Sequence, residues 1–295
     1  MISTVQETSI DVRGAFDLAA SARFLEGFTP AARPDAADEP GTLRMAFPVE
    51  GSWAHAGVRI QQREPGQVLV DTHDSLVIAQ VRRILSLDID GSEFTAVGRA
   101  DPVVEAVRSR HEGLRPVLFY SPYEAACWTI IGNRIRLTQA ARIKQRIAEE
   151  HGETLEVAGR QLASFPAPAV LAAIEELPGL PRFKVERLRT IAVAAQAGEL
   201  DAAMLRGLDP EEAMGHLQRL PGIGPFSAEL ILVRGAGHPD VFPRNEQRLH
   251  EEMRRAYDLP AADGAALAEV AERWRPFRSW VALLMRIEAA ARIAA

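Results

Sequence analysis

The chain has 295 residues, 47% of them hydrophobic and 25% charged, with a formal net charge of −6 and a single cysteine. That length suits two domains, and the composition is that of an ordinary globular protein. The acidic balance excludes a protein that coats nucleic acid by bulk electrostatics, and one cysteine, Cys127, excludes an intramolecular disulfide framework and a four-cysteine iron–sulfur cluster. No apolar run approaches the roughly 18 residues of a membrane span. The opening MISTVQETSIDVRG lacks a basic region followed by an apolar block, so no signal peptide is expected and the reducing cytoplasm is the expected location. The nearest two of the seven histidines, His238 and His250, stand twelve positions apart, which gives no local metal motif.

In chain order, helical patterns at Leu18 to Phe24 and Ser75 to Leu85 flank alternating segments at Thr42 to Val49, Val58 to Gln62 and Gln67 to Thr72. Turn signals at Glu50-Gly51-Ser52 and Pro65-Gly66 make these segments antiparallel strands, and Ala31 to Pro40 is a polar loop. From Asp101-Pro102, a helix start with its cap and first-turn proline, nearly everything is helical. The predicted fold is α+β: a small antiparallel sheet domain over 1–105, then an all-α body in two lobes with a cleft between them over 106–295. Between Asn133 and Arg146 stand five basic residues (Arg134, Arg136, Arg142, Lys144, Arg146) and no acid, a local basic face or a solvated helix surface.

The stretch around which the rest is organised runs from Leu220 to Glu246, LPGIGPFSAELILVRGAGHPDVFPRNE. An amphipathic segment over Asp209 to Arg219 meets Pro221, and a second helix starts at Pro225. Two glycines, Gly222 and Gly224, let the backbone turn tightly and approach a bulky ligand. The following helix aims its free N–H groups and positive dipole end the same way, which makes an anion site suited to a phosphate. A dinucleotide fingerprint would need a strand before the glycines and a third glycine, where Ser227 stands. The stretch therefore reads as a helix-hairpin-helix, with Ile223 as the apolar plug, or as a simple tight turn between core helices.

Beyond the bend come Gly235-Ala236-Gly237, then Asp240-Val241-Phe242-Pro243 and Arg244-Asn245-Glu246. Bend, Gly/Pro-rich loop and acid together resemble the helix-hairpin-helix DNA glycosylase superfamily, and most the bacterial 3-methyladenine DNA glycosylase II branch. Tyr123-Glu124, Ile131-Gly132-Asn133, Phe165-Pro166, Gly179-Leu180, Lys184 and Trp274-Arg275-Pro276-Phe277-Arg278-Ser279-Trp280 extend the likeness over the helical region. The resemblance implies a sheet domain similar to half of a TATA-binding protein. It also implies a monomer that flips a damaged base out of duplex DNA and hydrolyses its N-glycosidic bond in base excision repair. No cofactor is implied beyond a monovalent cation at the hairpin, and the cluster-bearing branch is excluded by the single cysteine.

Residue by residue, the resemblance gives Gly222, Ile223, Gly224 and Ser227 to the DNA phosphate. Arg134, just after Gly132-Asn133, matches the wedge that fills the emptied stack, although it equally reads as a phosphate contact, and Asn133 is expected at the DNA. Glu246 matches the catalytic aspartate, a carboxylate that stabilises positive charge on the sugar. It also reads as an ordinary first-turn acid, and it is one methylene longer than the family's residue. Phe226 occupies the place of the lysine that strand-cutting members carry, so no Schiff base is expected. The base pocket is expected from Phe226, Trp128, Trp280 and Arg286, each of the three aromatics having a plainer reading as core. Arg286 stands where relatives often place a stacking aromatic; it stacks by cation–π contact and repels a cationic base such as 3-methyladenine. A lesion-binding protein without catalysis, or a helical module that binds protein, are the competing readings.

Overall fold

A computed structural model describes residues 7–31 and 33–294. Residues 1–6, read above for a signal sequence, and Ala32 in the polar loop lie outside the described residues. The N-terminal region contains β1 (Thr8–Asp11), α1 (Leu18–Gly27), β2 (Thr42–Pro48), β3 (His55–Glu64), β4 (Gln67–Val70) and α2 (Ser75–Ile84). The four strands pair antiparallel in the order β1-β4-β3-β2. Three of them are the alternating segments of the sequence. The fourth, β1, is a four-residue strand that the sequence reading omits. Each helix start is set by an aspartate whose carboxylate accepts from the first free N–H groups: Asp17 from Ala19, and Asp74 from Leu76 and Val77.

The rest is built from α3 (Phe94–Ala100), α4 (Pro102–Arg110), α5 (Pro122–Gly132), α6 (Leu137–His151), β5 (Glu153–Val157) and β6 (Arg160–Ser164). These are followed by α7 (Pro168–Ala173), α8 (Arg182–Gln196), α9 (Ala202–Gly207), α10 (Pro210–Gln218) and α11 (Pro225–Leu230). The last three helices are α12 (Gln247–Ala256), α13 (Gly264–Ala271) and α14 (Arg278–Ala294). No helix is long and apolar enough to cross a membrane among the described residues.

The β-hairpin β5–β6 is an element that the helical reading of this stretch omits. Its two-residue turn puts both Ala158 and Gly159 at positive φ, 47° and 78°, which matches the right-handed twist of the strands it joins. It lies against β2 and β3: a Cβ on Gly57 would fall 2.5 Å from Val157 Cγ2, so only glycine admits this approach. His55 Nδ1 and Ser164 Oγ meet at 2.7 Å across the same seam. The hairpin thereby covers the second face at β2, which is buried along most of its length rather than alternately.

Three apolar clusters hold the molecule. One joins the sheet to α1 and α2, with Leu18, Phe47, Ile60 and Ile84 nearly inaccessible. A second runs through α5, α6, α8 and the helical hairpin, and a third joins α3 and α4 to α12–α14 around Trp274. The last two clusters are the lobes of the helical body. Helix α4 crosses residue 105 and packs in the second lobe. The sheet domain is tied to the first lobe by Arg83, whose guanidinium donates to Gly235 O at 2.6 Å and Tyr120 O at 2.6 Å and pairs with Glu50.

Candidate base-excision site

The bend between α10 and α11 is built as its glycines require. Gly222 has φ +91°, a left-handed conformation that costs an L side chain about 1–2 kcal/mol. A Cβ there would also fall 2.9 Å from both Arg187 Cδ and Ile130 Cδ1. Gly224 opens onto free space and caps α11 in an extended conformation. Ile223 is 5% exposed, plugged into the first lobe. Among the described residues, neither the Gly222 nor the Gly224 amide donates to a protein acceptor.

Next to the bend, α5 ends in a loop whose conformation is held from below. Buried Lys184 donates to Ile131 O at 2.8 Å and Asn133 O at 2.7 Å. Asn133 and Arg134 are exposed, and Arg134 adopts φ +58°, which turns it out at the loop tip. Of the five basic residues from 133 to 146, Arg134, Arg136, Arg142 and Arg146 face solvent. Lys144 does not join them: it turns inward to Glu124 at 2.6 Å and lies over the Phe165 ring.

A cavity of about 630 Å³ opens between the lobes and against α1. Trp128, Phe226, Glu229, Arg234, Glu246 and Arg286 line it, with Phe24 and Phe28 closing the side toward the sheet domain. Phe226 is half exposed and Trp128 buried. Trp280 does not line it. Its ring is buried against Phe94 and Phe277, with centroids 5.3 Å and 4.9 Å away, because α14 turns that face toward the second lobe's core. The expectation of Trp280 in the base pocket is corrected accordingly.

Glu246 is the N-cap of α12. Its Oε1 accepts from Arg248 N at 3.3 Å and lies 3.3 Å from Arg286 Nε, with both side chains about one quarter exposed. The loop that delivers it is fixed at both ends. On the α14 side, Ser279 Oγ accepts from Val241 N and donates to Val241 O, both at 3.0 Å, while Arg278 Nε donates to Asp240 at 2.8 Å. On the α11 side, buried Glu229 accepts from Arg244 N at 2.9 Å, Asn245 N at 3.0 Å and Asn245 Nδ2 at 2.9 Å. The glycine bend and the acid are therefore mechanically joined: α11 leaves the bend, and its fifth residue grips the two backbone amides that precede Glu246. Burial pushes the Glu229 carboxyl above the usual carboxylate range, against these hydrogen bonds, which pull it down.

Glu229 and Arg234 line the cavity and are residues that the motif reading missed. Beyond Leu230 the helix widens into a π turn, Ile231–Ala236. That turn shifts the phase of the side chains after it. Arg234 is carried on it to the cavity floor, where it stacks on Phe28 with 4.6 Å to the ring centroid and on Phe24 with 5.3 Å. Its Nη2 donates to Val117 O at 2.7 Å, and its buried Nε has no partner among the described residues. Burial, then the neighbouring Arg286, push it down to about 10.

Comparison with known proteins places this architecture. No family model matches the chain. A Mycobacterium tuberculosis protein named as a probable bifunctional transcriptional activator/DNA repair enzyme AlkA is 32% identical over 216 residues, 72% of this chain and 43% of that protein. The DNA-3-methyladenine glycosylase of Bacillus subtilis is 26% identical over 215 residues, 69% of each chain. The chain thus spans less than half the length of the first of these curated relatives. The solved 3-methyladenine DNA-glycosylase of Archaeoglobus fulgidus shares the fold with a TM-score of 0.79 over 96% of this chain and 98% of its own, at 22% identity. In sequence the chain is similar to proteins named as DNA-3-methyladenine glycosylases and DNA repair enzymes, and in fold to the solved glycosylase of Archaeoglobus fulgidus.

Proposed function

We propose that the protein is a monofunctional DNA glycosylase of base excision repair, acting on duplex DNA that contains damaged bases, with Glu246 as its catalytic carboxylate. One observation carries the reading: Glu246 lines the inter-lobe cavity on a loop that Glu229 ties to the glycine bend. In this reading the Gly222 and Gly224 amides hold a backbone phosphate. The loop tip at Asn133 and Arg134 enters the stack, and the everted nucleotide places its base in the cavity.

The chemistry then follows. As the C1′–N bond lengthens, the sugar gains positive charge, which the fixed carboxylate stabilises. Water adds its oxygen to C1′, Glu246 takes the proton released, and the bond's electron pair leaves with the base. The ion pair with Arg286 and the Arg248 amide set the direction of a side chain one methylene longer than the family's aspartate. No lysine lines the cavity among the described residues, and Lys184 is committed to two carbonyls, which supports hydrolysis without a Schiff base. None of these steps requires a monovalent cation at the hairpin.

The test is incubation with genomic DNA that has been methylated, deaminated or oxidised in separate batches, with liberated bases identified by mass. The expected result is a free base, an abasic site, and an unbroken strand until alkali is added. Tight binding of damaged DNA with no base released from any batch would make the protein a lesion binder instead.

A further inference from the structure

Among the described residues, four arginines line the cavity (Arg234, Arg248, Arg286 and Arg23, the last paired with Asp17 at 3.6 Å) against two glutamates. Both glutamates already have partners. Glu246 faces Arg286, and Glu229 accepts three N–H donors from Arg244 and Asn245. Arg234 adds a second guanidinium that no carboxylate contacts, with an unpartnered Nε inside the protein.

The charge balance separates two kinds of substrate. An N3- or N7-alkylated purine nucleotide is already cationic and leaves as a neutral base, so it needs no help at the leaving group. Brought beside Arg286 and Arg234 it meets like charge where water is thin. A neutral base behaves in the opposite way. When its C1′–N bond breaks, both electrons stay on the base nitrogen and the leaving group is an anion. The proton that Glu246 takes from the attacking water ends on that nitrogen, which closes the balance. Until then the anion is stabilised by N–H donors carrying positive charge.

Resting on the glycosylase reading above, we infer that this site is specific for neutral damaged purines that present a ring carbonyl, with Arg286 donating to the leaving base and Arg234 holding the cavity floor positive. The aromatic rings of Phe226 and Trp128 supply the stacking surface that such a base needs.

The experiment compares single-turnover base release from duplexes of one sequence holding hypoxanthine, 8-oxoguanine or 7-methylguanine. The enzymes are wild type, Arg286→Gln and Arg286→Lys. We expect wild type to release at least one of the neutral bases faster than 7-methylguanine. Arg286→Gln should shrink that preference by about tenfold, equivalent to about 1.4 kcal/mol, slowing the neutral base and speeding the cationic one. Arg286→Lys should keep most of it. Faster release of 7-methylguanine by wild type, or an equal fall of all rates in Arg286→Gln, overturns the inference while leaving the glycosylase standing. Release of nothing from any duplex removes both.

Discussion

The bend at 220–225 and the cavity beside it answer to different constraints. In the proposed reading the bend holds a phosphate, which every nucleotide carries, and its parts are backbone: two glycines, one at φ +91°, two amides that donate to no acceptor among the described residues, and an apolar plug. In the same reading the cavity takes a base, and its parts are side chains, among them Phe226, Glu246 and Arg286. A phosphate grip is preserved by keeping a conformation, whereas a base pocket is retuned by exchanging side chains on a constant frame. Glu229 is where the two meet, since it belongs to the bend's helix and holds the loop of the cavity's acid.

The largest expected effect breaks the cavity and spares the bend. Glu246→Gln keeps the length and the cap oxygen but removes the charge, and should slow base release by about 10²–10³-fold. Affinity for damaged DNA, measured by anisotropy, should stay within a few-fold of wild type. A rate near that of wild type would mean that the carboxylate belongs only to the helix start. The converse variant breaks the bend. Gly222→Ala forces an alanine into the left-handed region and against Arg187 and Ile130. It should weaken binding to damaged and undamaged duplexes alike by about tenfold, or about 1.4 kcal/mol. Chemistry at saturating enzyme should be far less affected, and an unchanged affinity would remove the phosphate role of the bend.

The same contrast governs what the sequence makes legible. The bend is read from Gly222-Ile223-Gly224 because a conformation that only glycine adopts cheaply leaves its mark in residue type. Helix starts at Asp17, Asp74, Asp101, Ser121 and Asp263 are legible for a similar local reason, each being a cap whose side chain accepts from its own first turn. The cavity is less legible. Trp280 is as aromatic as Trp128, and nothing local says that α14 turns it toward Phe94 while Arg286, on the same helix, faces the acid. Arg234 is hidden by a π turn that a regular 3.6-residue period does not anticipate. Lys144 counts as basic surface in a charge tally, yet its partner is Glu124, on a different helix. The β-hairpin 153–164 hides because its face toward β2 and β3 is defined only once the sheet exists.

The smallest effect is the most specific to the link between the regions. Glu229 accepts three hydrogen bonds as a carboxylate, and protonation would convert one acceptor oxygen into a donor facing N–H groups. Its proton is held more tightly in the fold than in the unfolded chain, because burial raises its pKa. Between the unfolded and folded values the native state therefore binds more protons, so this group's contribution to stability falls as pH rises through that window. Activity should run the other way, because the ionised form holds the 244–246 loop. Acidification should thus lower base release at a pH above the ordinary carboxylate range while the melting temperature, corrected for the other groups by comparison with Glu229→Gln, does not fall. Glu229→Gln keeps one acceptor oxygen and no titration. It should lose this acid limb and show a modest, pH-independent drop in rate, about tenfold or less given that a group misplaced by about 1 Å costs about a hundredfold. An acid limb that persists unchanged in Glu229→Gln would assign it to another group and would uncouple the bend's helix from the placement of the acid.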